Sequence, residues 1–284
     1  MNDSIGTRVL LRQLEIKPSK GLGQNFLVDA SVPAKILAAA ELKSEDAVIE
    51  IGPGVGVLTR LLVQTAAKFT AVELDQRLYP FLREMLSPYL GAKLVEGDVL
   101  DFQPKELEPS AYKLIANIPY YITSAILRHF LESSHRPQQI VLMVQKEVAQ
   151  RIVAKPPEMS LLAVSVQFYG KPKLFATVPA GAFYPPPKVD SAILVIKVYP
   201  DAERPCRVTD EARLFEVVRA GFGQKRKQLA NSLATGLHLD KEIIREVLAA
   251  GHIAAERRAE TLSLEEWEQL YNALEGLAIS TKAG

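Results

Sequence analysis

From Asp46 onward, short apolar runs alternate with amphipathic segments. The runs are Ala47–Ile51, Thr70–Leu74, Lys93–Val95, Lys113–Ala116 and Ile140–Val144. Between them Val57–Gln64, Gln76–Met85, Ser124–Leu131 and Glu147–Ala154 carry helical spacing. Such alternation predicts an α/β fold, a parallel doubly wound sheet with helices on both faces. Ligands of that architecture bind outside the carboxyl ends of the strands. Upstream, Ser31 to Ala40 reads as a helix with Pro33 in its first turn. Residues 1–20 read as a short basic amphipathic arm, a docked helix with a solvated basic face. The two glycines and the amides of Lys20–Asp29 predict a loop.

Further along, Met159–Tyr169 is periodic as a helix, and Lys173–Val178 and Ala192–Val198 read as strands. Pro200 to Pro205 is charged and bounded by prolines, which marks a domain boundary. Beyond it every segment has helical period: Ala212–Ala220, Arg226–Ala234, Lys241–Ala249 and Leu264–Leu274, with Gly236, Gly251 and Gly276 in C-cap positions. Two domains are expected: 1–200, including an N-terminal arm over 1–30, and a small all-α domain over 201–284.

Candidate chemistry falls just after each run. The first run ends in Gly52-Pro53-Gly54-Val55-Gly56, a turn that takes positive φ and lets a ligand approach bare backbone. About twenty residues on, Glu73 stands where nucleotide-binding sheets hold a ribose. The turn departs from the dinucleotide pattern, and it lacks the lysine and hydroxyl that ATP would need. No cation lies between Gly52 and Leu58. S-adenosylmethionine, which has no phosphate, therefore fits best. Asp98 follows the third run; it is either an acceptor for an adenine amine or a turn aspartate.

The fourth run ends in Asn117-Ile118-Pro119-Tyr120-Tyr121, the most specific signal in the chain. The exocyclic nitrogen of adenine is a poor nucleophile because its lone pair is delocalised into the ring. Two acceptors on its two N–H bonds favour a pyramidal nitrogen. The Asn117 side-chain oxygen and the Ile118 carbonyl can supply them, with Pro119 fixing the backbone. The Tyr120 ring can stack on an extruded base. Phe183, before Tyr184-Pro185-Pro186-Pro187-Lys188, either faces the other side of that base or sits in the core, and Lys188 is a candidate phosphate contact.

Composition narrows the classes. The chain has 284 residues, 48% hydrophobic and 24% charged, the profile of an ordinary globular protein. Its single cysteine, Cys206, excludes an internal disulfide and a cysteine-rich metal cage. No apolar run approaches a membrane span and the arm lacks a signal-peptide core, so a cytoplasmic setting without membrane association is expected. At a net charge of +1, a nucleic-acid partner must be met by local patches. Gly223-Gln224-Lys225-Arg226-Lys227, with Arg257 and Arg258, is either such a patch or a solvated face.

Gly23-Gln24-Asn25-Phe26-Leu27, Glu50-Ile51-Gly52-Pro53-Gly54, Glu73-Leu74-Asp75, Asn117-Ile118-Pro119-Tyr120, Phe183–Ser191 and Gly221–Lys227 together resemble the ribosomal RNA adenine dimethylases, and among them the bacterial small-subunit group. The resemblance covers nearly the whole chain. It implies a Rossmann-like class I S-adenosylmethionine-dependent methyltransferase sheet. It implies dimethylation at N6 of two adjacent adenosines in a hairpin loop near the 3′ end of 16S rRNA, within an assembling 30S subunit. It places Asn25 and Leu27 over the methionine end of the cofactor, Gly52 against it, Glu73 on the ribose, Asp98 on the adenine amine and Asn117 between cofactor and target. It also favours base stacking for Phe183. No metal is implied, and nothing demands more than a monomer. Two rivals are a related dimethylase of large-subunit rRNA and a non-enzymatic assembly or transcription factor on the same fold. Methyl transfer to small against large precursor subunits separates the first. Normal subunit maturation with an inactive Asn117→Ala would favour the second.

Overall fold

A computed structural model describes residues 6–104 and 111–282, with side chains described up to residue 276. Strands β1 (Phe26–Leu27), β2 (Ala47–Ile51), β3 (Lys68–Glu73), β4 (Ala92–Glu96), β5 (Lys113–Asn117), β6 (Gln139–Gln145), β7 (Gly170–Val178), β8 (Phe183–Tyr184) and β9 (Ser191–Val198) occur in chain order. Seven of them form one sheet, in the order β4-β3-β2-β5-β6-β9-β7. The first five run parallel and β9 is antiparallel to β6. The connection from β7 into β9 carries four prolines and no long crossover, as an antiparallel addition allows.

Every residue of β2 is buried, as are six of the seven in β6, so both faces of the centre are covered. The edge strands differ: β7 alternates buried or half-buried with exposed positions, and β4 is only half-buried. Helices α2 (Ser31–Ala40) and α3 (Thr59–Thr65) supply Val32, Ile36, Leu62 and Val63 to the core that receives Phe69, Ile115, Val141 and Ile193 from the strands. Helix α1 (Thr7–Gln13) is docked as expected: Leu11 and the following Ile16 pack with Phe26, Val55, Leu78 and Leu82. The far N-terminal part of the arm, residues 1–5, lies outside the described residues.

Chain contacts separate two compact units, residues 1–149 with 171–198, and residues 150–170 with 199–284. The first contains the sheet. The second includes α7 (Leu161–Tyr169), which precedes the expected boundary in sequence, together with α8 (Glu211–Phe222), α9 (Leu229–Leu237), α10 (Lys241–Ala250) and α11 (Leu264–Lys282). Gly251 caps α10 as read from the sequence, but Gly236 lies inside α9 and Gly276 inside α11. Gly236 is small because α8 passes against it: a Cβ there would stand 2.7 Å from the Ala220 Cα. The left-handed residue that ends α9 is His238. Cys206 is buried, and burial pushes its thiol up to about 12. Among the described residues no helix is long and apolar enough to cross a membrane.

Candidate active site

The register aligns Ile51 with Val72 on one side and with Ala116 on the other, so Gly52 emerges between Glu73 and Asn117. Gly52, Gly54 and Gly56 all have positive φ (+65°, +58° and +75°). This handedness is costly for any residue with a Cβ. At Gly54 a side chain would also meet the Phe26 ring at 3.2 Å. The bare turn is thus demanded by its own backbone and by the segment beneath it.

Glu73 is buried, 6% exposed. Its two oxygens accept from the Gly54 amide at 3.1 Å and the Asp75 amide at 2.8 Å. Burial raises its carboxyl from the ordinary value, and these amides oppose the rise. Each oxygen retains a lone pair for a ligand hydroxyl. Asp75 is itself clamped. Arg77 reaches it through Nε at 2.8 Å and Nη2 at 2.6 Å, and Gln24 also donates to it. The Arg77 guanidinium holds the Asp75 carboxyl below its usual range.

These groups border a cleft of about 1040 Å³, part of it open to solvent. The cleft collects Asn25, Leu27, Gly52, Glu73, Asp98, Asn117, Ile118 and Tyr120. Asn25 Nδ2 donates to Gly23 O at 3.0 Å. Asp98 acts as a turn aspartate, its Oδ1 accepting from the Leu100 amide at 2.9 Å, and it stays exposed at the rim of the cleft. Tyr120 is half-buried at the start of a short 3-10 turn, Tyr120–Ile122, and its hydroxyl meets Ser191 Oγ at 2.6 Å. Burial raises the Tyr120 phenol and the serine contact opposes that.

Phe183 does not join them. Its ring is 1% exposed and packs in the core with Val178, Ala182 and Ile193. Strands β1 and β8 pair Leu27 with Phe183 and Phe26 with Tyr184. Adjacent residues of a strand point to opposite faces, so Phe183 turns inward and Tyr184 outward. The stacking position expected for Phe183 is therefore corrected to a core position. Tyr184 is 38% exposed, and Arg8 lies over its ring at 5.1 Å.

Glu50, to which its place in the motif assigns no role, also belongs to the site. It is 2% exposed, lines the cleft, and its Oε2 has no partner. Burial pushes its carboxyl up to about 8, with the Thr59 hydroxyl opposing and the Glu73 charge adding to the rise. Its signal was available: one carboxylate inside an otherwise apolar strand that feeds the glycine turn.

In the second unit, Lys225, Arg226 and Lys227 are exposed on the connection before α9 rather than within it. Arg257 belongs to a different structure. It is paired with Glu266, and its Nε donates to Thr261 Oγ1 at 3.1 Å. Its guanidinium is engaged locally, whereas Arg258 is exposed, with Nη1 3.8 Å from Glu260.

A family model described as ribosomal RNA adenine dimethylase matches residues 16–275. The chain is 50% identical over 257 residues to a ribosomal RNA small subunit methyltransferase A of Dehalococcoides mccartyi strain CBDB1, covering 90% of this chain and 88% of that one. It is 42% identical over 279 residues to the protein of that name from Bacillus cereus strain B4264, covering 94% and 95%. Among solved structures, a dimethyladenosine transferase from Plasmodium falciparum superposes with a TM-score of 0.77 at 25% identity, covering 89% of this chain and 98% of that one. The 23S rRNA methyltransferase ErmE superposes at 0.70 with 29% identity, covering 88% and 100%.

Proposed function

The chain belongs to the ribosomal RNA adenine dimethylase family, and from that premise we propose that it dimethylates N6 of two adjacent adenosines near the 3′ end of 16S rRNA. It is an S-adenosylmethionine-dependent rRNA adenine dimethyltransferase. The substrate in this reading is a hairpin loop in an assembling 30S subunit, and the enzyme works in the cytoplasm as a monomer without metal. Relatives with 38–50% identity carry the small-subunit name, which favours this over large-subunit rRNA.

The cleft suits the cofactor on a local observation. Glu50 Oε2 is buried without a partner, and a buried carboxyl is relieved by a cation. The amino-acid ammonium of the cofactor would provide one, with Glu50 holding it. Glu73, held by two amides, accepts the ribose hydroxyls. Asp98 at the rim accepts from the adenine amine, and Asn25, Leu27 and Gly52 flank the methionine portion. S-adenosylmethionine supplies an electrophilic methyl on a sulfonium.

On the target side, Asn117 Oδ1 and Ile118 O accept the two N–H bonds of the base amine and direct its lone pair at that methyl. Tyr120 stacks on the base once it has left its helix. No strong base is required, because the alkylated amine is cationic and loses its proton to water. The observation that carries the reading is the adjacency of β2 and β5, which sets the glycine turn beside Asn117.

Mass-spectrometric mapping of dimethyladenosine in 16S and 23S rRNA, from cells with the protein, without it and with Asn117→Ala, tests this. Loss of two adjacent marks in 16S alone is expected in both deficient strains. Marks lost from 23S instead would reassign the substrate, and full marking in Asn117→Ala would remove that residue from the chemistry.

A further inference from the structure

The Tyr120 ring lies on a loop, and a loop is a poor place from which to aim a stacking face. Its free end is nevertheless fixed. The Tyr120 hydroxyl and Ser191 Oγ are 2.6 Å apart, across 71 positions of chain. Ser191 is 0% exposed, and it opens β9 directly opposite Gln145 of β6. The backbone just before it is also pinned: Asp190 O accepts from the Lys146 amide at 3.0 Å, and Asp190 Oδ1 from the Ala180 amide at 3.1 Å. Ser191 is thus a rigid point of the sheet, while Tyr120 belongs to a single turn leaving β5.

A buried hydroxyl costs stability unless it is paired. The residues that follow, Ala192 to Ile196, are all apolar and buried. An alanine would suit that strand equally well on packing grounds. What the serine adds is a hydrogen bond to the far end of the ring that borders the cleft. Fixing both ends of an aromatic side chain removes its freedom to swing, which is how a supporting residue preorganises a site.

We propose that Ser191 is a positioning residue for methyl transfer: its hydroxyl holds the Tyr120 ring at the angle that receives the target base. The inference rests on the reading of Tyr120 as the stacking residue and deepens it. Ser191 touches neither base nor cofactor and acts through Tyr120 alone. Removing the bond from either side should therefore have the same effect. It should lower the rate of transfer from a bound complex more than it changes donor binding.

The test uses the full-length enzyme and small subunits isolated from cells lacking the modification, with methyl transfer followed by radiolabel. Ser191→Ala and Tyr120→Phe should each lower kcat by roughly tenfold. Donor affinity measured by calorimetry should stay within about twofold of wild type. The double variant should be no slower than the slower single one, because both remove one bond. Full kcat in either single variant overturns the proposal, as do losses that multiply in the double variant. Tyr120→Phe keeps the test in force if Ser191→Ala fails to fold. Tyr120→Ala separates the two levels. Wild-type turnover in Tyr120→Ala would remove the stacking reading and the tether with it. An inactive Tyr120→Ala beside unimpaired Ser191→Ala and Tyr120→Phe would remove the tether alone.

Discussion

Gln24 Nε2 donates to Asp75 Oδ2 at 2.8 Å, joining two residues 51 positions apart. The contact continues in both directions. Gln24 Oε1 accepts from the Ser19 amide at 2.9 Å, Arg77 Nη1 donates to Lys17 O at 3.1 Å, and the Asp75 amide donates to Glu73. The segment that walls one side of the cleft is thereby latched to the carboxylate assigned to the ribose. Gln24→Ala should weaken donor binding by roughly tenfold, the worth of one charge-assisted hydrogen bond. Glu73→Ala, which removes the acceptor itself, should weaken it further. Titration calorimetry checks both, and unchanged affinity in Glu73→Ala would detach that residue from the ribose.

Glu50 sets a pH dependence of stability. The folded protein keeps a proton on this carboxyl up to about pH 8, whereas an ordinary glutamate releases it near 4.5. Its stabilising contribution is therefore complete below 4.5 and is lost as pH rises toward 8. The slope approaches about 1.4 kcal/mol per pH unit. Glu50→Gln keeps a neutral side chain of the same shape. Denaturant titrations of the ligand-free protein between pH 5 and 8 should show that part of the slope vanish. An identical slope in the variant would mean that Glu50 is ionised in the folded state.

Phe183 should behave as a core residue. Phe183→Ala is expected to cost about 3–5 kcal/mol of unfolding free energy. Donor affinity of the surviving folded fraction should hardly change. A variant that melts like wild type and yet fails to methylate would return Phe183 to the catalytic group.

The exposed cluster of Lys225, Arg226 and Lys227 should contact phosphate. Replacing all three with Ala should reduce the slope of log K against log salt for RNA binding by about two. Filter binding over a range of potassium chloride concentrations measures it. An unaltered slope would make the cluster an ordinary wetted surface.

Much of this architecture was legible in the sequence because its signals are local. The apolar run Ala47–Ile51 is bounded by Asp46 and Gly52, and it forms a strand with those limits. Helix Ser31–Ala40 likewise keeps its read limits, with Pro33 where its missing N–H costs nothing. Features set by distant partners were not legible. Two-residue strands have no period, so the pairing of Phe26 with Tyr184 left no trace, and with it went the orientation of Phe183. Gly236 looked like a helix stop because glycine commonly is one, whereas its neighbour Ala220 lies in another helix. Arg257 and Lys225 looked alike as cations until Glu266 claimed one of them. The candidates read from strand ends, Gly52, Glu73, Asp98 and Asn117, border one cleft. Glu50 sits inside a strand rather than after it, and its signal is that it is the one carboxylate of an apolar run.

The sheet order divides labour between neighbours. The residues proposed for the donor leave β2, β3 and β4, while Asn117 and Tyr120 leave β5 and the Tyr120 hydroxyl is tied to Ser191 of β9. Asn117 adjoins the glycine turn through the pairing of β2 with β5, whereas the Tyr120–Ser191 tether involves only the turn after β5 and the start of β9. A lineage could thus exchange its nucleic-acid target by redrawing the Tyr120 turn and its prop on β9, while inheriting the methyl-supply machinery.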